Sequence, residues 1–481
     1  MTSSPWDTIR KARAARAARQ RGTTRRRAVR NRFISPVARL VNQWWTRLLQ
    51  AVYEGSLSDQ EAEYQEHETT RDYLWNTAGT AVWGMVFPVL SIVATQLAGA
   101  EGAGMFAMAF VTGTLLMIAA GYGVRTHQVS DLDEDASFAS YQVNRWLTGI
   151  AAFVIGLLYC ALRDYDAAMM AISLGVYVYK VVDGVADVYE GRLQQADKLY
   201  LAGISQTIRS GLAIVSFSLL LLVTRDLGVA SIAMAVVTVA SLVLVTIPLA
   251  LLETERSAPI RLNEVTALFR QCLPLAAALL LFNLIESMPK FVMEGTLAYE
   301  NQLYFNALYF PAQAILLTVG FLYKPQLVRL TSIWSNPRRR RRFDLIVVAM
   351  LTVVVGISVV AGLFMAWLGI PLMSFLYGLD FERFRLLAYL MVAAGGVTAA
   401  IDFLYAIVCV LRRAGDVMKL YLICFAASVV APLILVNLLG LTGAVASYLG
   451  VMTLLLFLLL IEYVKIRRAI TRERNPFLSR R

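Results

Sequence analysis

The sequence predicts an all-α integral membrane protein with about twelve transmembrane helices in two pseudo-symmetric six-helix lobes. Of its 481 residues, 58% are hydrophobic and only 16% are charged, whereas a soluble chain carries about a quarter charged residues. Stretches of about twenty apolar residues recur along the chain, and each can cross a hydrocarbon core about 30 Å thick. Because lipid offers the backbone no hydrogen-bond partners, each crossing must be a helix.

The predicted crossings are separated by polar or glycine-bearing segments. Their expected bounds are 74–97, 103–123, 145–162, 167–186, 204–224, 229–252, 272–293, 303–323, 344–368, 386–410, 419–438 and 442–464. The turns 98–102 and 439–442 are so short that the two crossings beside each turn are the easiest to miscount. These crossings form a first lobe, 73–253, and a second lobe, 272–465, joined by a linker, 254–271, and followed by a basic tail, 466–481.

Basic residues are distributed unequally between two alternating sets of loops. One set, with the helix ends beside it, holds most of the Lys and Arg, including the run 338–342. The opposite set holds Arg163, Arg225, Arg383 and Arg385. Since positively charged loops stay cytoplasmic, we predict a multi-pass protein of the cell (cytoplasmic) membrane with both basic termini in the cytoplasm.

Residues 1–72 form a separate basic region before the first crossing. The tract 10–32 is dense in Lys and Arg and holds no acid. No apolar segment with a cleavage site follows, so the tract is not a secretory signal peptide. An organellar transit peptide is an alternative. Nucleic-acid binding is electrostatically feasible but is not expected, because a membrane surface is the simpler anionic partner.

An amphipathic helix is predicted at residues 33–53. Its apolar residues recur every three or four positions and include Trp44 and Trp45, and Arg39 and Arg47 lie on the opposite face. A basic helix with paired tryptophans is typical of the membrane interface. The alternative is a helix docked on the protein's own cytoplasmic loops. Residues 54–72, a segment rich in acidic residues, are predicted to be a linker.

The four cysteines give no sign of a cofactor. Cys160, Cys272, Cys409 and Cys424 lie far apart, in or at the ends of apolar stretches. Neither a CxxC pair nor a zinc or haem spacing is present, so we interpret them as small core residues. No metal or cofactor is predicted.

An internal repeat links the two lobes. A shift of 199 residues places the first two crossings on the seventh and eighth. It pairs Phe106 with Phe305, Phe110 with Tyr309, Gly121 with Gly320, Arg125 with Lys324, and Arg71 with Arg270. Transporters commonly place the substrate site between such repeats.

Polar residues inside the crossings indicate where function lies, because each is costly in lipid. The fourth crossing carries Lys180 and Asp183 on one face. The seventh carries Asn283, Glu286, Lys290 and Glu294, with Glu286 and Lys290 spaced as an i,i+4 pair. The eighth adds Tyr304, Asn306, Tyr309 and Gln313, and the tenth adds Asp402.

Structural explanations compete with these functional ones. Lys180–Asp183 and Glu286–Lys290 are candidate ion pairs that only hold helices together. Lys290 and Glu294 lie near an interface, where long side chains can snorkel. Residues such as Asp187, Glu190 and Gln194 are alternatively loop residues. Buried charges in both lobes nevertheless favour a hydrated cavity, and a cavity with both signs suits a substrate with phosphate and sugar groups.

At these residues the chain resembles polysaccharide repeat-unit flippases (O-antigen, capsule or exopolysaccharide) of the MOP, or MATE-like, superfamily. The resemblance covers residues 73–465 and rests on the order and spacing of several short pieces. In the first lobe these are Gly104–Phe106 with Ala109–Phe110, Gly121-Tyr-Gly-Val-Arg125, Gln128-Val-Ser-Asp131, Lys180-x-x-Asp183, Glu190-Gly-Arg-Leu-Gln194 and Arg209. In the second lobe they are Pro274, Lys290, Tyr304-Phe305, Pro311 and Lys324-Pro325. The long basic start departs from the family's usual short one.

The resemblance implies alternating-access export of an undecaprenyl-pyrophosphate-linked oligosaccharide for cell-surface polysaccharide, including lipopolysaccharide, biosynthesis. Its expected partners are membrane lipids, that substrate, and a polymerase or glycosyltransferase. The predicted substrate-cavity residues are Arg125, Lys180, Asp183, Asn283, Glu286, Lys290, Tyr304, Asn306, Tyr309 and Lys324. The candidate ion-coupling residues are Asp183, Glu286 and Asp402.

Two other classes of protein stay open. A MATE-type cation-coupled drug exporter shares the fold, but its cavity favours acidic and apolar groups. A membrane-embedded polymerase or glycosyltransferase usually needs a sizeable external loop with acids or arginines, and the longest external loop here is 369–385. We therefore expect a transporter rather than an enzyme.

The predicted topology can be tested with single cysteines in the run 338–342 and at Asp380. In intact cells a membrane-impermeant maleimide should label only the Asp380 site, and the Arg run should react after permeabilisation, because the charge bias places that run in the cytoplasm. Labelling of the Arg run in intact cells would reverse the orientation.

Overall fold

The computed structural model describes residues 61–131, 136–324, 327–335, 340–411 and 413–474. All regular elements in these ranges are helical, which confirms the all-α prediction. The chain divides into two compact units, Met1–Glu68 and Thr69–Arg481. The first is described only from Glu61 onwards. The predicted interface helix 33–53, with Trp44 and Trp45, lies outside the described residues.

Helix α1, Glu61–Gly121, contains the first two crossings. It begins inside the segment predicted to be a linker. Its helical backbone is broken at Gly99, with φ 84°. The rings of Phe87 and Phe110 lie 4.6 Å apart, although a continuous helix would separate residues so far apart in sequence by more than 30 Å. The chain therefore reverses near Gly99, and Leu74–Ser130 crosses the membrane twice. Eleven candidate spans occur in the described residues. They correspond to the twelve predicted crossings, because the first span contains two of them.

The rest of the first lobe is a series of helices with short connections. They are α2 Val124–Ser130, α3 Phe138–Leu162, α4 Ala167–Gln195, α5 Leu199–Thr224 and α6 Leu227–Ser241, which continues through a π-helical turn, Leu242–Thr246, into α7 Ile247–Glu253. Polar side chains fix where several of these helices begin. Ser137, Asp166 and Asp226 each accept a backbone N–H bond at the helix N-terminus, which satisfies a donor that the helix itself cannot pair.

The second lobe is also a series of helices with short connections. Its helices are α8 Leu262–Thr296, α9 Glu300–Tyr323, α10 Leu327–Ser335, α11 Arg340–Phe364, α12 Ile370–Tyr377, α13 Arg385–Val410, α14 Ala414–Leu439 and α15 Leu441–Arg474, with a π-helical turn at Met365–Gly369 and a 3₁₀ turn at Glu382–Phe384. The tight turn between α14 and α15 is made at Gly440, whose φ of 59° favours glycine.

Packing gives each lobe a central helix. In the first lobe α4 packs against α3, α5 and α6, and in the second lobe α13 packs against α9, α11 and α15. Helix α8 packs against α14 and α15 of its own lobe and also against α3 of the other. Large apolar side chains such as Trp367 are exposed, as expected for a surface in contact with lipid.

Candidate functional site

A buried charge network lies where α1, α4 and α5 meet. Arg209 on α5 donates from Nε to Asp183 Oδ1 at 2.7 Å and from Nη1 to Glu190 Oε1 at 2.7 Å. Trp83 on α1 donates from Nε1 to Asp183 Oδ2 at 2.9 Å. The Arg209 and Asp183 side chains are each 2% exposed. Both oxygens of Asp183 are therefore used, and neither is used by Lys180.

A second group of charges continues the network along α4. Arg125 donates to Asp187 Oδ1 at 2.6 Å and to Gln194 Oε1 at 3.0 Å. Arg145, whose side chain is fully buried, donates to Asp187 Oδ2 at 3.0 Å. Asp187, Glu190 and Gln194 belong to helix α4, so their interpretation as loop residues is wrong. The positive charge of Arg125 is compensated by acids in this structure.

Lys180 is held by aromatic rings. Its Nζ lies 4.2 Å from the ring centre of Phe110, 5.0 Å from that of Trp83 and 5.2 Å from that of Tyr179. Within the described part of the chain, no carboxylate lies within 4.0 Å of this ammonium group. Cation–π contacts stabilise a cation by about 0.5–2 kcal/mol each. The residue is 3% exposed.

The charges in this region do not balance. Among the described residues, four cations meet three carboxylates, which leaves one positive charge in excess: Arg125, Arg145, Lys180 and Arg209 against Asp183, Asp187 and Glu190. Since the three arginines are all paired with acids, the excess charge lies at Lys180. The proposed Lys180–Asp183 ion pair does not form at contact distance.

Glu286 in the second lobe is bound by hydroxyl groups. Its Oε1 accepts hydrogen bonds from Tyr309 at 2.9 Å and from Tyr448 at 3.1 Å. Tyr448 in turn lies 3.2 Å from the hydroxyl of Thr398. Nearby, Tyr323 donates to Asp402 Oδ2 at 2.6 Å. Both carboxylates are thus held by tyrosines rather than by cations in the described structure.

Lys290 repeats the arrangement of Lys180. Its Nζ lies 4.8 Å from the ring centre of Tyr309 and 5.7 Å from that of Phe305, and in the described residues it makes no ion pair with Glu286 within 4.0 Å. Tyr309 is the residue that the predicted repeat pairs with Phe110, and each of these two aromatic rings contacts a lysine.

The other predicted cavity residues are dispersed. Tyr304 is buried and lies under the Arg383 guanidinium, 4.8 Å from its ring centre. Asn283 and Asn306 donate to carbonyl groups of their own helices. Lys324 is exposed at the end of α9. In the described structure, these four residues do not form one cluster of contacts with Lys180.

Sequence reasoning missed several partners of the predicted acids, among them Arg209, Trp83, Tyr323 and Tyr448. The sequence identifies Arg209 only as part of a family motif, although an arginine within an apolar stretch is itself a strong signal of a buried acid nearby. Trp83 and Tyr448 each carry one polar group, an indole N–H and a hydroxyl, within an apolar crossing. Their positions in the sequence do not indicate that Trp83 lies beside Asp183 or that Tyr448 lies beside Glu286.

Solved structures similar to this chain include transporters of the MOP superfamily, among them MATE transporters. One is an inward-facing multidrug-resistance MATE transporter, with a TM-score of 0.57, 13% identity, and coverage of 82% of this chain and 98% of that chain. Another is the Vibrio cholerae MATE transporter VcmN, with a TM-score of 0.53, 13% identity, and coverage of 83% and 98%.

A third is a MOP superfamily transporter from Pyrococcus furiosus, for which reversed polarity of the binding pocket suggests a different function; its TM-score is 0.56, its identity 13%, and the coverage 85% and 96%. No protein-family model and no curated protein matches the chain. At these identities the likeness shows the fold: the chain has the architecture of a MOP superfamily transporter.

The buried network predicts which charge is structural. Arg209→Met leaves Asp183 without a cation and Glu190 with only Arg125, 3.8 Å away. Breaking such a buried pair costs about 3–5 kcal/mol, so the yield of folded protein in the membrane should fall sharply. Adding Asp183→Asn and Glu190→Gln should restore part of it. Monodispersity and thermal melting in detergent measure the effect.

Arg385→Met is the matched control, because Arg385 forms an exposed pair with Glu382 and surface pairs contribute about 0–1 kcal/mol. Equal behaviour of the Arg209 and Arg385 variants would contradict the structural role of the network.

Proposed function

We propose that the chain flips an undecaprenyl-pyrophosphate-linked oligosaccharide repeat unit across the cytoplasmic membrane by alternating access, for cell-surface polysaccharide biosynthesis. The observation that supports this most is Lys180, a buried ammonium group without a carboxylate at contact distance in the described structure. An unpaired cation in a membrane span is costly and marks function. A pyrophosphate group would supply the missing negative charge.

The aromatic contacts suit a cation that must bind and release an anion repeatedly. A cation–π contact is weaker than a buried ion pair, so an arriving phosphate can compete for the Lys180 ammonium group. A carboxylate partner would compete with the substrate instead. The same argument applies to Lys290 with Tyr309 and Phe305.

The two lysines lie at different depths, which suits transfer along the membrane normal. Lys180 is about 20 Å along its helix from Ala167, and Lys290 is about 9 Å from the end of α8 at Thr296. These two helix ends lie at the same end of the bundle, since Glu294 on α8 contacts Tyr165 just before α4. A substrate crossing the interior would meet the two cations in succession.

Arg125 and Lys324 contribute differently in this proposal. Arg125 is already paired with Asp187 and would have to exchange that partner for phosphate. Lys324 is exposed and would attract the anionic headgroup before it enters. A polymerase or glycosyltransferase that makes or consumes the lipid-linked sugar is the natural functional partner.

A second function is favoured by the acids of the other lobe. Glu286 and Asp402 are carboxylates without a cation at contact distance in the described structure, and such groups suit a cationic drug or a coupling ion. A MATE-type cation-coupled multidrug exporter is therefore the alternative. In the flippase proposal the same acids are the coupling site. Asp183 is less suited to coupling, because Arg209 and Trp83 already bind it.

Lys180→Met tests the flippase directly. The variant leaves no orphan acid, because Asp183 keeps Arg209 and Trp83, so we expect normal amounts of folded protein. Export should fall by tenfold or more, since one charge-assisted contact contributes about 1.5–3 kcal/mol. In cells lacking the gene, surface polysaccharide and lipid-linked sugar on the cytoplasmic face are measured.

Lys419→Met, at an exposed lysine, is the control and should export normally. Full export by Lys180→Met would remove Lys180 from the proposed site. If instead loss of the gene leaves polysaccharide unchanged but sensitises cells to cationic dyes, the drug-exporter alternative is correct.

Glu286→Gln and Asp402→Asn test the coupling site. Each keeps a group that accepts the tyrosine hydrogen bond but fixes the side chain in a neutral form, so ion-driven transport should stop while folded protein persists. Transport driven by an imposed proton or sodium gradient in proteoliposomes is the measurement. Normal gradient dependence in both variants would exclude coupling through these acids.

A further inference from the structure

Glu294 joins the two lobes at one end of the bundle. Its carboxylate, on a side chain 1% exposed, accepts hydrogen bonds from the hydroxyls of Tyr159, at 2.7 Å, and Tyr165. Arg163 Nη2 lies 3.1 Å from its Oε2. The donors lie on α3 or just after it, and Glu294 lies on α8. We name these four residues the Glu294 clamp. Glu294 therefore does not snorkel.

Two further contacts join the lobes at this end. Gln96 of α1 donates from Nε2 to the carbonyl of Leu376 at 2.8 Å. Gly104 lies so close to the second lobe that an added Cβ would be 1.9 Å from the carbonyl oxygen of Tyr299. Together with the clamp, these contacts hold this end closed in the structure.

The opposite end of the same helix pair has its own carboxylate. Glu264 at the start of α8 accepts hydrogen bonds from the backbone N–H and hydroxyl of Ser137, at 2.9 and 2.8 Å, and from the hydroxyl of Ser140 at 2.8 Å. This Glu264 clamp lies beside the covalent connection between the lobes, where Ala139 N–H also donates to Ser257 at 2.8 Å.

Helix α8 is longer than α3 between these two attachments. Glu264 and Glu294 are about 45 Å apart along a straight helix, whereas Ser137 and Tyr159 are about 33 Å apart. Pro274 and Pro289 lie within this part of α8, and each removes one backbone hydrogen bond. They lower the cost of bending α8 between its two ends.

We infer that the Glu294 clamp is the latch of one entrance to the transporter, released when that entrance opens, while the Glu264 clamp holds the other end of α8 as the pivot. The inference rests on alternating access, as proposed above, but not on the identity of the substrate. The connection at 254–261 limits how far the Glu264 end can separate, whereas the contacts of the Glu294 end are non-covalent and can break together.

Pulsed electron spin resonance in lipid nanodiscs tests the latch without any substrate. The native cysteines are replaced, and spin labels are placed at the exposed Asp164 and Ala298, one on each lobe at the Glu294 end. Glu294→Ala should raise the population of long distances about tenfold, because charge-assisted bonds to one carboxylate are lost. Gly104→Val should shift the distances in the same direction by steric clash.

Two controls separate a latch from general loosening. Labels at Ser130 and Asn263, at the Glu264 end, should change little, and Glu300→Ala, at an exposed acid of the Glu294 end, should leave both distances unchanged. If Glu294→Ala fails to fold, Tyr165→Phe removes one donor with less disturbance. Unchanged Asp164–Ala298 distances in the folded variants, or equal shifts at both ends, would overturn the inference, whichever substrate is transported.

Discussion

A charge inside the hydrocarbon layer must find its partner within the protein, and the interior of this chain is organised by that constraint. Two fully buried arginines of the first lobe meet it with acids: Arg209 binds Asp183 and Glu190, and Arg145 binds Asp187. These bonds tie α3, α4 and α5 together. These helices can carry Arg145 and Arg209 in their interior because acids neutralise the charges of both arginines.

The two lysines find their partners within the protein through weaker interactions. Lys180 and Lys290 rest on aromatic rings, and the acids of the second lobe rest on tyrosine hydroxyls. In the proposed function these weak partners are exchanged for a ligand. The division between strongly paired arginines and weakly held lysines and acids separates the groups that hold the fold from those suited to binding.

Helix α8 connects this interior chemistry to motion. It carries Glu286 and Lys290 in its C-terminal third. Near each of its ends a carboxylate, Glu264 or Glu294, is bonded to the first lobe. Any bend of α8 therefore moves the candidate binding groups together with the contact between the lobes. A helix that packs on both lobes is well placed to couple occupancy of the interior to the opening of one end.

The sequence alone determined the class of fold, because hydropathy, length and backbone hydrogen bonding leave a membrane chain few options. It also located costly residues within the crossings, including Lys180, Glu286 and Lys290. Local spacing could not identify their partners. It suggested Lys180–Asp183 and Glu286–Lys290, since residues three or four apart share a helix face.

The tertiary structure gives Asp183 and Glu286 other partners, because a side chain bonds to the best partner that the packing brings within reach. Arg209, 26 residues from Asp183 in sequence, offers Asp183 a guanidinium at 2.7 Å, and Tyr448, 162 residues from Glu286, offers Glu286 a hydroxyl at 3.1 Å. The contacts of Glu294 likewise depend on how α3 lies against α8. Such choices arise from helix packing, which no periodicity in the sequence encodes.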